Sequence, residues 1–464
     1  MSDAAPKEQT NEARGDVEFE LTQDFVDDVS AAIAAGDAKL IHDLIGPLHF
    51  SQAANLIEGL DRDDRRRLID LAGDILDAEF LTELDETVRD EAIDALGTAQ
   101  FASALTELDT DDAVDLIEDL DARERRAILD AIPAEDRALV EDGLSYPEDS
   151  AGRMMEREVV AIPSYWTVGE TIDYMRETDD LPDDFYDITV VDGDKRPAGI
   201  LPLNRIMRTK RPVIVSEIME SEHMRTIPVG LDQEEVANLF RELDLVSAPV
   251  VDDSGRLIGT ITIDDIVDVI DEEAEEDILR LGGVAGIDVY RAVLETTRAR
   301  FSWLFVNLLT AILASIVIAF FEATIEQLVA LAVLMPIVAS MGGNAGTQTL
   351  TVAVRALAMR ELTTLNQMGF IGKELVVGFI NGVLFAILVA IVAGLWFDSA
   401  ALGLVIAFAM VINLAVAGLT GTLVPLTLVR WGIDPAIASS VFVTTVTDVV
   451  GFFAFLGLAA LFLV

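Results

Sequence analysis

The sequence predicts a multidomain membrane protein: a cytosolic α-helical superhelical N domain, a tandem pair of α/β modules, a long acidic connecting helix, and an all-α transmembrane domain of five helices. Three observations predict it. Acidity is confined to the first part of the chain, five long apolar stretches fill the rest, and two internal repeats, both offset by 60 residues, divide the acidic part. The 464 residues are long enough for several domains, and the expected boundaries are 1–18, 19–150, 151–263, 264–298 and 299–464.

Residues 1–18 are polar and acidic with no apolar h-region, so they are expected to be a disordered tail and not a signal peptide. In the first repeat, Leu56-Ile57-Glu58-Gly59-Leu60-Asp61 is echoed by Leu116-Ile117-Glu118-Asp119-Leu120-Asp121, each followed by an Arg cluster and a further Leu or Ile pair. Short amphipathic helices repeated in this way suggest a superhelix, with most charges on solvated faces. In the second repeat, Thr189-Val190-Val191-Asp192 with Gly199-Ile200 matches Pro249-Val250-Val251-Asp252 with Gly259-Thr260. β-Branched runs, a turn at Gly193 or Gly255, a second strand and a helix give two β-α modules that pack as a pair.

From Asp264 to Asp277 the chain carries nine carboxylates in 14 residues. Asp265, Asp268, Glu272 and Glu276 fall on one helical face, where like charges four apart repel unless a cation bridges them. A solvated, salt-adapted linker helix is the plainer alternative, and a divalent-cation sensor the functional one.

The net charge of −49 falls almost entirely in the first 300 residues, which hold −46 of it. Such an excess argues against nucleic acid as a partner and suits divalent cations. Only five of the 32 basic residues are Lys and the carboxylates are scattered, so adaptation to high salt accounts for much of the acidity. No Cys is present, which removes disulfides and thiolate metal sites.

Five stretches can span about 30 Å of hydrocarbon: 301–321, 328–350, 375–397, 402–429 and 436–464. Arg291, Arg298, Arg300, Arg355, Arg360, Lys373 and Arg430 flank alternate ends, so the positive-inside rule puts the first 300 residues in the cytoplasm and the C-terminus outside. Asp448 is the only formal charge between Pro435 and Val464, and an ionisable group at that depth usually marks an ion or proton path. Ser440, Thr444 and Asp448 form one helical stripe. In the second span Pro336 precedes Gly342-Gly343-Asn344-Ala345-Gly346-Thr347-Gln348, and Asn344, Thr347, Gln348, Thr351 and Arg355 recur at helical spacing. The glycines allow either close helix packing or a break beside a cavity. Carboxylate, amide and backbone oxygens suit Mg²⁺ or Ca²⁺ and suit soft metals poorly. One Asp per chain is a thin site, which two chains on an axis would double.

With these motifs in this order the chain after its tail resembles the MgtE family of magnesium channels and transporters. The specific segments are Pro336 with 342–348, Asp434-Pro435-Ala436, and Thr445-Val446-Thr447-Asp448-Val449. The resemblance implies paired CBS modules and a homodimer in the plasma membrane lipid. Its pore lies between subunits, with Asp448 of both chains holding hydrated Mg²⁺ and Asn344, Gly343, Thr444 and Ser440 along the path. It implies a plug over 264–298 closed by cytosolic Mg²⁺. Sensor ligands carried over are Glu234, Asp244, Asp265, Asp268, Glu273, Glu276 and Asp277, with Asp111, Asp112 and Asp115 as a looser match. Ser440 stands where some members carry Asn, and Val441 where Pro is common. CBS modules can bind an adenine nucleotide, and no residue set here decides it. No GxxxxGK[ST] loop is present, so a channel passive to ATP hydrolysis is expected, and an enzyme is not. An ion-coupled carrier for another divalent cation and a membrane-anchored nucleotide sensor are the alternatives.

Overall fold

The computed structural model describes residues 21–464 except 74–77, 119, 179–180, 183–184, 223, 285–292 and 437–438. The tail expected over 1–18, Asp119 of the first repeat and Arg291 lie outside the described residues. The chain divides into two compact units, one ending at Glu272 and the other beginning at Glu273.

The first unit opens with α1 (Gln23–Ala35), α2 (Ala38–Ile45), α3 (Phe50–Gly59), α4 (Arg62–Ala72), α5 (Glu86–Ala104), α6 (Thr110–Glu118), α7 (Ala122–Leu129) and α8 (Ala134–Gly143). Their apolar faces share one core that includes Ile41, Leu56, Leu68, Phe101 and Leu116. The 60-residue repeat has a physical basis. Asp61 caps α4 by accepting from the amides of Asp63 and Asp64, and Asp121 caps α7 through those of Arg123 and Glu124. Each cap stabilises its helix by about 1 kcal/mol. Arg65 donates to the carbonyls of Ile57 and Leu60 at the end of α3, and Arg125 to those of Glu118 and Leu120 at the end of α6. These Asp and Arg positions are therefore structural and not merely solvated, Arg65 being only 6% exposed.

Two β-α modules follow: β1 (Ala161–Pro163), α9 (Val168–Glu177), β2 (Asp187–Val191), β3 (Pro197–Pro202) and α10 (Leu203–Arg208), then β4 (Ile227–Pro228), α11 (Gln233–Leu243), β5 (Ser247–Val251), β6 (Leu257–Thr262) and α12 (Ile263–Leu281). The sheets have the same topology, β1 parallel to β2 and β2 antiparallel to β3, with β4, β5 and β6 alike. Both carry a register shift at the same place, Val190/Val191 and Val250/Val251. In the β5–β6 turn the left-handed position is Gly255, as the sequence suggests, but its counterpart in β2–β3 is Lys195 and not Gly193. Asp192 steadies that turn by accepting from the amides of Asp194 and Arg196.

The second unit contains α13 (Val293–Ala319), α14 (Glu322–Gln327), α15 (Ala330–Ala358), α16 (Gln367–Trp396), α17 (Ala400–Arg430) and α18 (Ser439–Phe462). All but α14 are long and apolar enough to cross a membrane, giving five among the described residues. Several boundaries differ from expectation, α13 beginning at Val293 and α15 ending at Ala358, each eight residues beyond the expected span, and three others bear on charged groups. The connecting helix expected over 264–298 stops at Leu281, because Gly283 turns left-handed and the amides of Gly283 and Val284 fold back onto Arg280 and Leu279. α16 begins at Gln367, eight residues early, which brings Lys373 and Glu374 inside the helix. α18 begins at Ser439, so Asp448 lies about 14 Å along it. Helix α15 runs unbroken past Pro336 and the glycines, so those glycines serve close packing and not a helix break.

Candidate functional site: an ion path and an acidic cluster

In the second unit, α15 and α18 pack together where their polar stripes run. A methyl built on Gly343 would sit 3.7 Å from Thr444 Cγ2, which sets the Asn344 stripe beside the Asp448 stripe. Asn344, Thr347, Gln348, Thr351 and Arg355 are all exposed on the single chain, while Ser440, Thr444 and Asp448 are partly so. Thr347 and Thr351 donate their hydroxyls to backbone oxygens one turn back, Gly343 O and Thr347 O, each at 3.0 Å. Thr444 does the same to Ser440 O at 2.9 Å. With the protons so engaged, the hydroxyl oxygens present lone pairs outward, as the Asn344 and Asp448 oxygens can. A surface of acceptors matches the outward-pointing hydrogens of a hydrated divalent cation, and Mg²⁺ parts with its water reluctantly. No described basic side chain pairs with Asp448.

In the first unit the carboxylates of α6 meet the start of α12. Burial pushes the Asp111 carboxyl well above its ordinary value, and Asp265, Asp112, Glu156 and Asp109 add to the shift. Burial and then Asp265 raise Asp112 to about 7 and Glu156 to about 8. Asp265 itself is raised to about 6, chiefly by burial, although Thr262 donates its amide and hydroxyl to it at 3.1 Å. Asp111 Oδ1 is buried with no hydrogen-bond partner. Asp268 is raised by burial and by Glu83. The structure thus brings together four of the sequence-predicted residues, Asp111, Asp112, Asp265 and Asp268, with Asp115 at the rim, where Arg89 pairs with it at 2.9 Å.

Glu156 was not foreseen. It is 8% exposed and held by a two-way backbone bridge to Thr260, which Gly259 permits because a methyl there would lie 2.7 Å from Glu156 O. The signal that could have found it is a short repeat: Met155-Glu156-Arg157-Glu158 recurs as Met219-Glu220-Ser221-Glu222 ahead of the first strand of each module. Glu234 and Asp244 stand at opposite ends of α11, about 15 Å apart along the axis, and cannot share one ion within a chain. Glu273, Glu276 and Asp277 belong to the second unit instead. There, burial, Asp434 and Glu273 raise Asp277 to about 6, and Arg280 pairs with both Glu276 and Asp434. Glu374, also unforeseen, is buried on α16 and accepts from Thr349 Oγ1 at 3.4 Å. Carboxylates are the hard donors Mg²⁺ takes. Among the described residues no three of them converge into a metal cage.

Between the two β-α modules a cleft is lined by Val160, Phe185, Tyr186, Asp187, Ser247 and Thr262. Ser247 Oγ donates to Asp187 across it at 3.3 Å.

Comparison with known proteins gives a consistent set. Residues 335–458 match the divalent cation transporter family MgtE, 48–149 the MgtE intracellular N domain, and 151–211 and 215–272 the CBS domain. The magnesium transporter MgtE of Thermus thermophilus is 35% identical over 441 residues, covering 93% of this chain and 97% of its own. That of Bacillus subtilis is 31% identical over 356 residues, covering 76% and 78%. The crystal structure of the cytosolic domain of the Mg²⁺ channel MgtE in complex with ATP is 29% identical, covers 53% of this chain and 99% of that one, and has a TM-score of 0.49.

Proposed function

Because the chain belongs to the MgtE family of magnesium transporters, we propose that it is a multi-pass membrane channel that admits Mg²⁺ along α15 and α18 and closes when cytosolic Mg²⁺ is plentiful. The observation that carries the path is the polar stripe of Asn344, Thr347, Gln348 and Thr351, left exposed by its own chain beside Asp448. Such a stripe is costly against lipid. A second subunit facing it across an axis removes that cost and brings a second Asp448, so the working unit is a homodimer in the lipid bilayer. Residues Ser440, Gly343 and Thr444 complete each wall, and the ion passes as a hydrated cation. In the same reading the N-terminal unit is cytoplasmic, the C-terminus is outside, and the chain does transport and no catalysis.

The gate follows from electrostatics in the cytoplasmic unit. Asp111, Asp112, Glu156, Asp265 and Asp268 repel one another when ionised, and a bridging Mg²⁺ relieves the repulsion. Linkage then requires Mg²⁺ to bind the docked, closed form more tightly than the open one. Glu273, Glu276 and Asp277 on the second half of α12 form a further group, in which Arg280 pairs with Glu276 and Asp434 and offsets one of their two charges. A second ligand, an adenine nucleotide, would enter the cleft between the modules once the cleft, now of about 20 Å³, widens: Phe185 and Tyr186 line it beside a base, Asp187 could accept from a ribose hydroxyl, and Ser247 and Thr262 could donate to a phosphate.

The test is Mg²⁺ uptake into proteoliposomes by Asp448→Asn. Uptake is expected to fall to background while the protein remains a monodisperse dimer, and normal uptake would overturn the path.

A further inference from the structure

From Ala400 to Leu419, α17 is apolar except for Asn413, which has no exposed surface. Its Nδ2 donates to Val338 O on α15 at 2.8 Å, whereas its Oδ1 is buried with no hydrogen-bond partner. A leucine would fill similar space without stranding a carbonyl, so packing alone does not call for an amide here. The carboxamide lies against two glycines on the two helices of the ion path. A methyl on Gly451 of α18 would come within 2.7 Å of Asn413 Nδ2, and one on Gly342 of α15 would overlap it outright. Gly342 is two residues before Asn344, and Gly451 three after Asp448, or about 3 and about 4.5 Å along their helices. The amide therefore stands behind both path helices at the level of the residues that face the ion.

We propose that Asn413 is a positioning residue that fixes the separation of α15 and α18, and with it the distance between the Asn344 and Asp448 faces. The hydrogen bond to Val338 O ties α17 to α15 in register, and the flat carboxamide between Gly342 and Gly451 sets how closely α18 approaches. A hydrated Mg²⁺ and the larger Ca²⁺ differ in size and in hold on water, so a path of fixed width discriminates between them and a slack one does not. This rests on the reading that Asn344 and Asp448 line the path.

The experiment is a double-mutant cycle of Asn413→Ala and Gly451→Ala in the full-length dimer in proteoliposomes, reading Mg²⁺ flux and the Mg²⁺/Ca²⁺ flux ratio. Gly451→Ala alone forces a methyl against the amide and should lower Mg²⁺ flux about fivefold. Asn413→Ala alone should slacken the contact and reduce the Mg²⁺/Ca²⁺ ratio. The double variant, in which the new methyl occupies the vacated space, should recover most of both. Additive losses, or an Asn413→Ala protein with unchanged flux and ratio, would overturn the proposal. If Asn413→Ala does not fold, Asn413→Ser enters the same cycle with the same expectations. Asp448→Asn, run alongside, separates the two ideas: retained flux there removes the path reading, whereas lost flux with no coupling between 413 and 451 removes only the role of Asn413.

Discussion

The two β-α modules share one topology, and one difference between them bears on the acidic cluster. In the first, Glu220 bridges its backbone to Ile200 while Arg205, at the start of α10, pairs with Glu220 and donates to Ile218 O. In the second, Glu156 bridges to Thr260 in the same way, but the residue 60 positions after Arg205 is Asp265. Where one module has a cation beside its glutamate, the other has a second carboxylate, and α6 adds Asp111 and Asp112. The fold explains why the glutamates are placed alike. On the proposed gate, the substitution is the reason that only the second module would take a cation from solution.

The largest effect should come from supplying that cation covalently. Asp265→Arg, with Glu156, Asp111 and Asp112 kept, puts into the second module the pair that the first already has. Mg²⁺ uptake should then stay low at low internal Mg²⁺, because docking no longer needs the ion, and proteolysis of the cytoplasmic unit should lose its Mg²⁺ dependence. Asp265→Asn removes repulsion without adding attraction and should lie between that variant and the parent. A gate that still opens normally in Asp265→Arg at low Mg²⁺ would break the comparison.

An intermediate effect is expected from pH. The docked unit holds Asp265, Asp112 and Glu156 at about 6, about 7 and about 8, all above their ordinary values. Raised carboxyls mean that docking is favoured fully at low pH, while the groups are protonated in both states. The stabilisation is lost as pH rises through those values. With a chelator present, thermal stability should therefore drop from about pH 4, the ordinary carboxyl range, to about pH 8, and Mg²⁺ should restore it most at the alkaline end. A stability profile flat over that window, or one that rises with pH, would contradict the cluster as drawn.

How far the sequence carries depends on whether a feature is local. The repeats at an offset of 60 are legible because caps, turns and strand register recur within a few residues, as with Asp61 and Asp121 or Gly199 and Gly259. Asp448 is legible because one charge in an apolar helix is conspicuous at any resolution of reading. Glu156 is harder to read, since its meaning comes from a bridge to Thr260 more than 100 residues away, and its only local mark is the Met-Glu-x-Glu segment that recurs at 219–222. Asn413 escapes for a related reason: a count of formal charges passes over a neutral amide, although its place in an otherwise apolar stretch marks it. Glu374 was misplaced because hydropathy starts a span at the first long apolar run, whereas α16 gains another two turns before Leu375 from residues that hydropathy discounts. The end of α12 at Leu281 is marked in the sequence by Gly282-Gly283, whereas the extent to 298 rests on the family resemblance and not on the carboxylate run, which ends at Asp277.

The smallest effect tests the other side of the comparison. In the first module the Arg205 and Glu220 side chains are 41% and 40% exposed, so solvent screens the pair and its worth is about 1 kcal/mol or less. Arg205→Gln should lower thermal stability only slightly and leave the Mg²⁺ dependence of uptake where it was, because Glu220, partly solvated, has one acidic neighbour, Asp187, and not a buried cluster to repel it. Arg205→Asp copies the charge pattern of the second module and should still create no Mg²⁺ dependence of its own, since burial is the first cause of the raised carboxyls around Asp265 and is missing at this exposed pair. A new Mg²⁺-dependent stabilisation in Arg205→Asp would mean that two adjacent carboxylates suffice. The distinction between the modules would then rest on charge alone, without the desolvation supplied by α6.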